Sequence, residues 1–222
     1  MIVVIAHIKG GTGKTTTAVQ LALQRQIDYP ERRIWLVDAD EQQSALDTAT
    51  IRSQLSIEPP LACSSFPSGE ALAAQMGAQA KNWDDIIIDC GGRDSDALRI
   101  ALMVCDKLVV PVLPRAYDVW SLSRLEAVIE NAQNLGAKFE TLAFLNRMDK
   151  TAESREAAAI LDGMKHFKLL NTSLSDRVAY AKAVGNGRSV FEMKPRDKKA
   201  CEELENLSSE IFKYCLLYTS DA

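Results

Sequence analysis

Eight residues, Lys9-Gly10-Gly11-Thr12-Gly13-Lys14-Thr15-Thr16, stand between an apolar run, Ile2 to Ala6, and a stretch with helical periodicity, Thr16 to Gln26. A strand that passes through a glycine-rich loop straight into a helix leaves few architectures open. Glycines let successive backbone N–H groups converge on one point, and the following helix aims its positive dipole end there, which makes a cradle for an anion. A lysine within the loop and a hydroxyl beside it complete the pattern, with Lys14 reaching the β- and γ-phosphates of a nucleotide and the Thr15 hydroxyl ligating Mg²⁺. The loop therefore points to an α/β fold whose strands end at a phosphate site.

The remaining sequence agrees with that reading. Ile34 to Val37, Ile86 to Ile88, Leu108 to Val112 and Leu142 to Leu145 are nearly all apolar, the mark of parallel strands covered on both faces. Asp94 to Val104, Val119 to Asn134 and Glu153 to Met164 have helical periodicity and enough length to cross from one parallel strand to the next. The expected fold is a doubly wound α/β structure, a mostly parallel sheet with helices on both faces. Ser56 to Glu70, rich in proline and serine, reads as a surface connection. One domain is expected, over residues 1–215. The closing LLYTSDA, residues 216–222, breaks the pattern and is set apart as a tail, either disordered or not native to the protein.

With 222 residues, 47% apolar and 25% charged, the chain can bury a sizeable core. Its five cysteines (Cys63, Cys90, Cys105, Cys201, Cys215) are an odd number without scaffold spacing, and no apolar run reaches the length of a membrane span. A soluble protein of a reducing cytoplasm is expected. The formal charge of -4 excludes a chain that is basic overall but not a local basic face.

The loop departs from the standard phosphate-binding pattern, because Ile8 stands where a first glycine is usual and Lys9 precedes the glycines. In this, Lys-Gly-Gly-x-Gly-Lys-Thr-Thr resembles the deviant Walker A motif of the ParA/MinD superfamily of ATPases. The resemblance implies that Gly10 to Thr16 bind ATP and that Lys9 crosses a nucleotide-sandwich homodimer to the phosphates of the other subunit. There it would act as an arginine finger does, stabilising charge on the transferred phosphoryl group. In LVDADEQQ, Asp38 and Asp40 resemble the family's first switch, Asp38 near the metal shell and Asp40 orienting the attacking water. Glu41 stands where the family has proline. In IIIDCGG, Asp89 resembles the Walker B carboxylate that holds Mg²⁺, and Gly91 and Gly92 the mobile second switch. LVVPVLPRAYD resembles the family's strand ending in Pro-x-x-Pro. Asn146 in FLNRMDK matches the position that hydrogen-bonds adenine, and Arg177 to Glu192 carry an Arg-x-x-Tyr-x-x-Ala signature.

Within this superfamily the task depends on what surrounds the ATPase. The last helical stretch, DKKACEELENLSSEIFKYC, has an acidic outer face and is expected to pack on its own domain, not on a membrane. Between residues 145 and 199 twelve Lys/Arg face seven Asp/Glu, a local excess of five positive charges that leaves -9 for the rest. Such polarity suits sequence-independent binding of DNA phosphates. Lys194, Arg196, Lys198 and Lys199 form the densest cluster, with Arg177, Lys182 and Arg188 as further candidates. The chain begins at once with the first strand and so resembles the small partition ATPases without a helix-turn-helix. The expectation is a cytoplasmic, nucleoid-associated, Mg²⁺-dependent ATPase that dimerises on ATP, binds DNA non-specifically and segregates plasmid or chromosomal DNA with a centromere-binding ParB-like adaptor that stimulates hydrolysis. Alternatives are an ATPase positioning another cytoplasmic cargo on the nucleoid and a P-loop ligase or kinase acting on a small molecule.

Overall fold

A computed structural model describes residues 1–115, 119–149 and 151–213. The expectations for the 216–222 tail and for Cys215 lie outside these residues. In chain order the elements are β1 (Ile2–Ile5), α1 (Lys14–Asp28), β2 (Ile34–Ala39), α2 (Ser44–Gln54), β3 (Ala62–Ser65), α3 (Gly69–Gln79), β4 (Asp85–Cys90), α4 (Asp96–Val104), β5 (Lys107–Val112), α5 (Leu122–Asn134), β6 (Glu140–Met148), α6 (Ala152–Asp162), β7 (Lys168–Leu169), β8 (Leu174–Ser175), α7 (Val178–Gly185) and α8 (Lys198–Phe212). The sheet order is β3-β2-β4-β1-β5-β6-β7, with β8 also pairing β6. Every strand pairing among the described residues is parallel.

Strand alternation explains why the strand sequences are apolar throughout. Val4, Trp35, Val37, Ile86, Ile88, Leu108, Val110 and Ala143 join one core, packed against Leu72 of α3, Leu98 of α4, Leu125 of α5 and Leu161 of α6. Their neighbours Val3, Ile5, Leu36, Ile87, Val109 and Phe144 join a second core on the opposite face, against α1, Ala183 of α7 and Leu204, Leu207 and Ile211 of α8. Each fully buried aliphatic side chain contributes about 1.5–3 kcal/mol. α8 thus packs on its own domain, as its apolar face predicts. Side-chain caps start several helices: Ser68 accepts from Ala71 N, Ser95 from Leu98 N, Thr151 from Ser154 N and Asp197 from Lys199 N and Ala200 N.

The five expected strands are present, most of them longer than expected. Ser56 to Glu70 is corrected: it holds β3, a half-buried strand pairing β2 from Trp35↔Ala62 to Asp38↔Ser65. Cys63, Ser64 and Ser65 carry no apolar signature because an edge position needs none. The chain leaves β1 toward β2 on one side and passes through β5 and β6 on the other. The carboxyl ends of β1, β2, β4 and β6 therefore surround the crevice where such folds bind ligands.

Candidate nucleotide-binding site

The glycine loop takes the shape its sequence requires. Gly11 and Gly13 have φ of 77° and 90°, left-handed values that glycine adopts without strain. Gly13 is also a close-contact position, because a β-carbon there would run into the Asn146 amide. Lys14 opens α1 and is buried, and its Nζ donates to the Lys9 carbonyl at 3.1 Å. Burial lowers its pKa, although Asp89, Asp40 and Cys90 oppose the shift. Lys9 is exposed, on the outer side of the same loop. The two lysines of the motif therefore occupy opposite environments.

The carboxylates follow from the register of the sheet. Asp38 and Asp89 are directly paired across β2 and β4, and alternation puts both on the α1 face with Leu36 and Ile87. Asp89 is fully buried, and neither of its carboxylate oxygens accepts a hydrogen bond among the described residues. Burial pushes its pKa up to about 8; the nearby Thr15 hydroxyl and Lys14 ammonium oppose the shift, and Asp38 and Asp40 add to it. Thr15 comes close enough to influence that carboxyl without reaching hydrogen-bond geometry.

Asp38 is placed differently. Its Oδ2 accepts from Ala45 N and Leu46 N, both at 2.9 Å, and its Oδ1 from Asp40 N at 3.1 Å. It caps α2 and shapes the turn that presents Asp40, so it is a positioning residue with both oxygens engaged. Burial raises its pKa in spite of these bonds. Asp40 is half-buried against Gly91, where a β-carbon would lie 3.2 Å from its Oδ1. A β-carbon on Gly92 would lie 3.1 Å from Gly10 N and 3.3 Å from Lys14 Nζ, so the turn after β4 rests on the glycine loop.

Asn146, at the end of β6, is buried, and its Nδ2 donates to the Thr12 carbonyl at 2.7 Å while its Oδ1 accepts from Arg147 N at 3.0 Å. Its amide clamps the loop. Next to it, a cavity of 330 Å³ is lined by Gly13, Thr16, Gln20, Arg147, Asp176 and Tyr180, among others. It shares Gly13, Thr16 and Arg147 with the pocket over Lys14, Thr15, Asp40, Glu41 and Arg93, which makes one continuous cleft. Arg147 lines this cleft with φ of 52°, and Gln43, between the lining residues Gln42 and Ser44, has φ of 53°. Left-handed backbone at non-glycine residues is unfavourable by roughly 1–2 kcal/mol each, and such strain gathers at ligand sites. Sequence reasoning missed Arg93 and Arg147, although a basic residue directly after Gly91-Gly92 and another directly after Asn146 were visible signals.

Residues 3–190 match the model of the CobQ/CobB/MinD/ParA nucleotide binding domain. The chain belongs to this family. It is 27% identical over 212 residues, 93% of this chain and 94% of the relative, to the maintenance of carboxysome distribution protein A of Halothiobacillus neapolitanus. To protein ParA of Rhizobium radiobacter it is 22% identical over 208 residues, 92% of this chain and 91% of that one. The crystal structure of a putative plasmid partition protein from Borrelia burgdorferi bound to AMPPNP matches with a TM-score of 0.74 at 22% identity, covering 96% of this chain and 98% of that one. That likeness speaks for the fold.

In this ParA/MinD-family ATPase the seven basic residues expected to face DNA divide into two groups. Arg177 is committed inside the protein: its Nη2 donates to Glu203 Oε1 at 2.8 Å and its Nε to both Glu203 oxygens at 3.1 Å. Tyr180 Oη donates to the Ala200 carbonyl and to Glu203, and Ser175 donates to Glu203 as well. The Arg and Tyr of the Arg-x-x-Tyr-x-x-Ala signature thus fasten α7 to α8, and its Ala183 is buried in the core on this face of the sheet. Against the desolvation of a partly buried group, Arg177 and Ser175 hold the Glu203 carboxyl below its ordinary value.

Lys182, Lys194, Arg196, Lys198 and Lys199 are exposed, Arg188 half-buried, and none of them has an ion-pair partner among the described residues. The segment leading into the cluster is firmly held. Arg52, at the end of α2 and 1% exposed, forms two 2.8 Å bonds to Glu192 and one of 2.9 Å to the Gly187 carbonyl. Gln20 of α1 bonds the Arg188 carbonyl and Val190 N. Among the described residues no helix is long and apolar enough to cross a membrane.

Proposed function

We propose that the chain is a Mg²⁺-dependent ParA-type ATPase that dimerises around ATP, binds DNA non-specifically and moves plasmid or chromosomal DNA with a ParB-like adaptor that stimulates hydrolysis. One observation carries the reading: a single glycine loop holds Lys14 buried in the phosphate pocket and Lys9 exposed outside it. A monomer needs only the first.

The residues present fit ATP and Mg²⁺. A fully buried carboxylate without hydrogen bonds calls for a cation or its water, and Asp89 is one. No three His, Cys, Asp or Glu among the described residues form a ready metal cage. That suits Mg²⁺, which is bound through one or two protein groups with phosphates and waters; Thr15 and Asp89 would hold it, with Asp38 behind. Bound Mg²⁺ neutralises phosphate charge. Gly10 to Thr16 bind the phosphates, Lys14 contacts them from inside, and the cavity beside Asn146 takes the base. Asp40 accepts a hydrogen bond from the attacking water and orients it. Lys9, arriving from the second subunit, stabilises the developing charge. DNA phosphates are met by Lys182, Arg188, Lys194, Arg196, Lys198 and Lys199, with Arg177 fixing the helix that carries the last two. The protein acts in the cytoplasm, on the nucleoid.

A second reading has the same ATPase position another cytoplasmic cargo on the nucleoid. It is favoured by the higher identity to the carboxysome distribution protein, 27%, than to protein ParA, 22%. The experiment is binding to non-specific duplex DNA without nucleotide, with ADP and with ATP, at two salt concentrations. ATP-dependent binding that weakens steeply with salt is expected, and Lys9→Ala should retain ATP binding while losing it. DNA ignored in every nucleotide state would remove the DNA reading, and a wild-type-like Lys9→Ala the sandwich dimer.

A further inference from the structure

We propose that Arg93 is a second phosphate-binding cation of the pocket, held off by Glu41 until ATP enters. The inference rests on the nucleotide reading above. Arg93 Nη2 is ion-paired with Glu41 Oε1, joining the loop after β4 to the loop after β2. Both residues line the phosphate pocket, together with Gly10, Lys14 and Thr15. The pair therefore ties together two of the loops that line this pocket.

Three features make it a latch and not a structural bridge. First, it is weak: the side chains are 63% and 62% exposed, and a pair so solvated is worth about 0.2–1 kcal/mol. Second, Arg93 has little choice of partner. The carboxylate beside it, Asp94, is taken by Arg99 through bonds of 3.0 and 2.6 Å, and Ser95 already caps α4. The backbone at Arg93 is held close to the loop because Gly92 rests on Gly10 and Lys14. A phosphate in the pocket offers the guanidinium a bidentate acceptor of higher charge than one carboxylate, in a less exposed place. Third, Glu41 would otherwise be an anion facing an anionic ligand, beside Asp40. With Arg93 on it, that charge is cancelled before ATP arrives; with Arg93 on the phosphates, Glu41 is released to solvent. The glutamate at the position where the family resemblance calls for proline thus has an explanation, since a breakable ion pair does the shaping a rigid ring would do.

The two members of the pair predict opposite effects, which a simple bridge does not. The measurement is calorimetric titration of the full chain with ATP and Mg²⁺, for the wild type, Glu41→Gln, Arg93→Ala and the double variant. Glu41→Gln should tighten binding by about two- to fivefold, the equivalent of an exposed pair. Arg93→Ala should weaken it by about tenfold, as loss of one charge-assisted contact does. The double variant should bind more tightly than Arg93→Ala and more weakly than the wild type, because removing Glu41 relieves its repulsion of the phosphates but cannot restore the contact that the arginine makes. Thermal unfolding of each variant keeps folding defects apart from binding. Equal changes in the same direction for both single variants, or an Arg93→Ala chain that binds like the wild type, would overturn the proposal. A wild-type chain that takes no ATP would overturn the nucleotide reading itself, and this inference with it.

Discussion

Replacing Asp89 with asparagine should make the nucleotide-free protein more stable while abolishing the Mg²⁺-dependent ATP hydrolysis proposed above. Asp89 is buried, its oxygens accept no hydrogen bond among the described residues, and burial raises its pKa from 3.8 to about 8. A carboxyl whose folded pKa lies above its unfolded one binds an extra proton in the native state. Its contribution to stability is then greatest below the unfolded value, near pH 4, and is lost as pH rises toward about 8, where the buried group finally ionises. One extra proton corresponds to a slope of about -1.4 kcal/mol per pH unit. At pH 7 the wild type therefore carries a penalty of up to about 4 kcal/mol, against under about 2 kcal/mol at pH 5.

Asparagine has the same shape and does not titrate. Urea unfolding of both nucleotide-free proteins between pH 5 and pH 8 should give curves that diverge as pH rises, with the variant increasingly ahead. Mg²⁺ and ATP should stabilise the wild type and leave the variant almost unmoved, because the site that rewards an ionised Asp89 is gone. The reasoning is refuted if the two proteins lose stability with pH at the same rate. In that case Asp89 is already solvated or paired in the free protein, and its isolation cannot be the mark of a cation site.

Gly92→Ala should weaken ATP binding about tenfold or more in the calorimeter, since a methyl group 3.1 Å from Gly10 N and 3.3 Å from Lys14 Nζ must displace the phosphate loop. Arg52→Met strands the Glu192 carboxylate against a buried surface; it should lower unfolding stability by about 3–5 kcal/mol, measured by urea denaturation. Arg177→Ala should lower stability by about 1.5–3 kcal/mol through loss of the Glu203 bonds, yet leave the salt dependence of DNA binding unchanged. Alanine at Lys194, Arg196, Lys198 and Lys199 together should do the reverse, flattening that salt dependence at nearly constant stability.

Legibility in the sequence followed the range of the forces involved. Five strands were readable because burial on both faces removes polar residues from them, whereas β3 was not, since an edge strand of Ala62, Cys63, Ser64 and Ser65 has no such constraint. The places of Lys14, Thr15 and Asp89 in the fold were readable because a glycine loop before a helix and a strand end are local patterns with a fixed relation to the sheet. Contacts between distant residues left no trace. Nothing near Asn146 announces the Thr12 carbonyl 134 residues away, and nothing near Arg52 announces Glu192, 140 residues on. The double engagement of Asp38 was half-visible, as an aspartate before a helix is as good a cap as a ligand. Charge density was readable, but pairing was not, so Arg177 counted toward the basic face until Glu203 was seen to hold it.

The unpaired part of that face conflicts with local preference in an informative way. Lys198 and Lys199 open α8, a helix with no acidic residue in its first turn. Cations at a helix N-terminus are disfavoured by about 0.3–1 kcal/mol each, because the dipole is positive there. Asp197 satisfies two of the free backbone N–H groups, but it cannot also balance Lys194, Arg196, Lys198 and Lys199. A chain selected for stability alone would carry acidic residues at this turn, as α3, α4 and α6 do with Glu70, Asp96 and Glu153. Positions that break a local rule without a compensating contact are where function is expected. The proposed function supplies a partner for these residues from outside the chain, since a nucleic-acid backbone is anionic and multivalent.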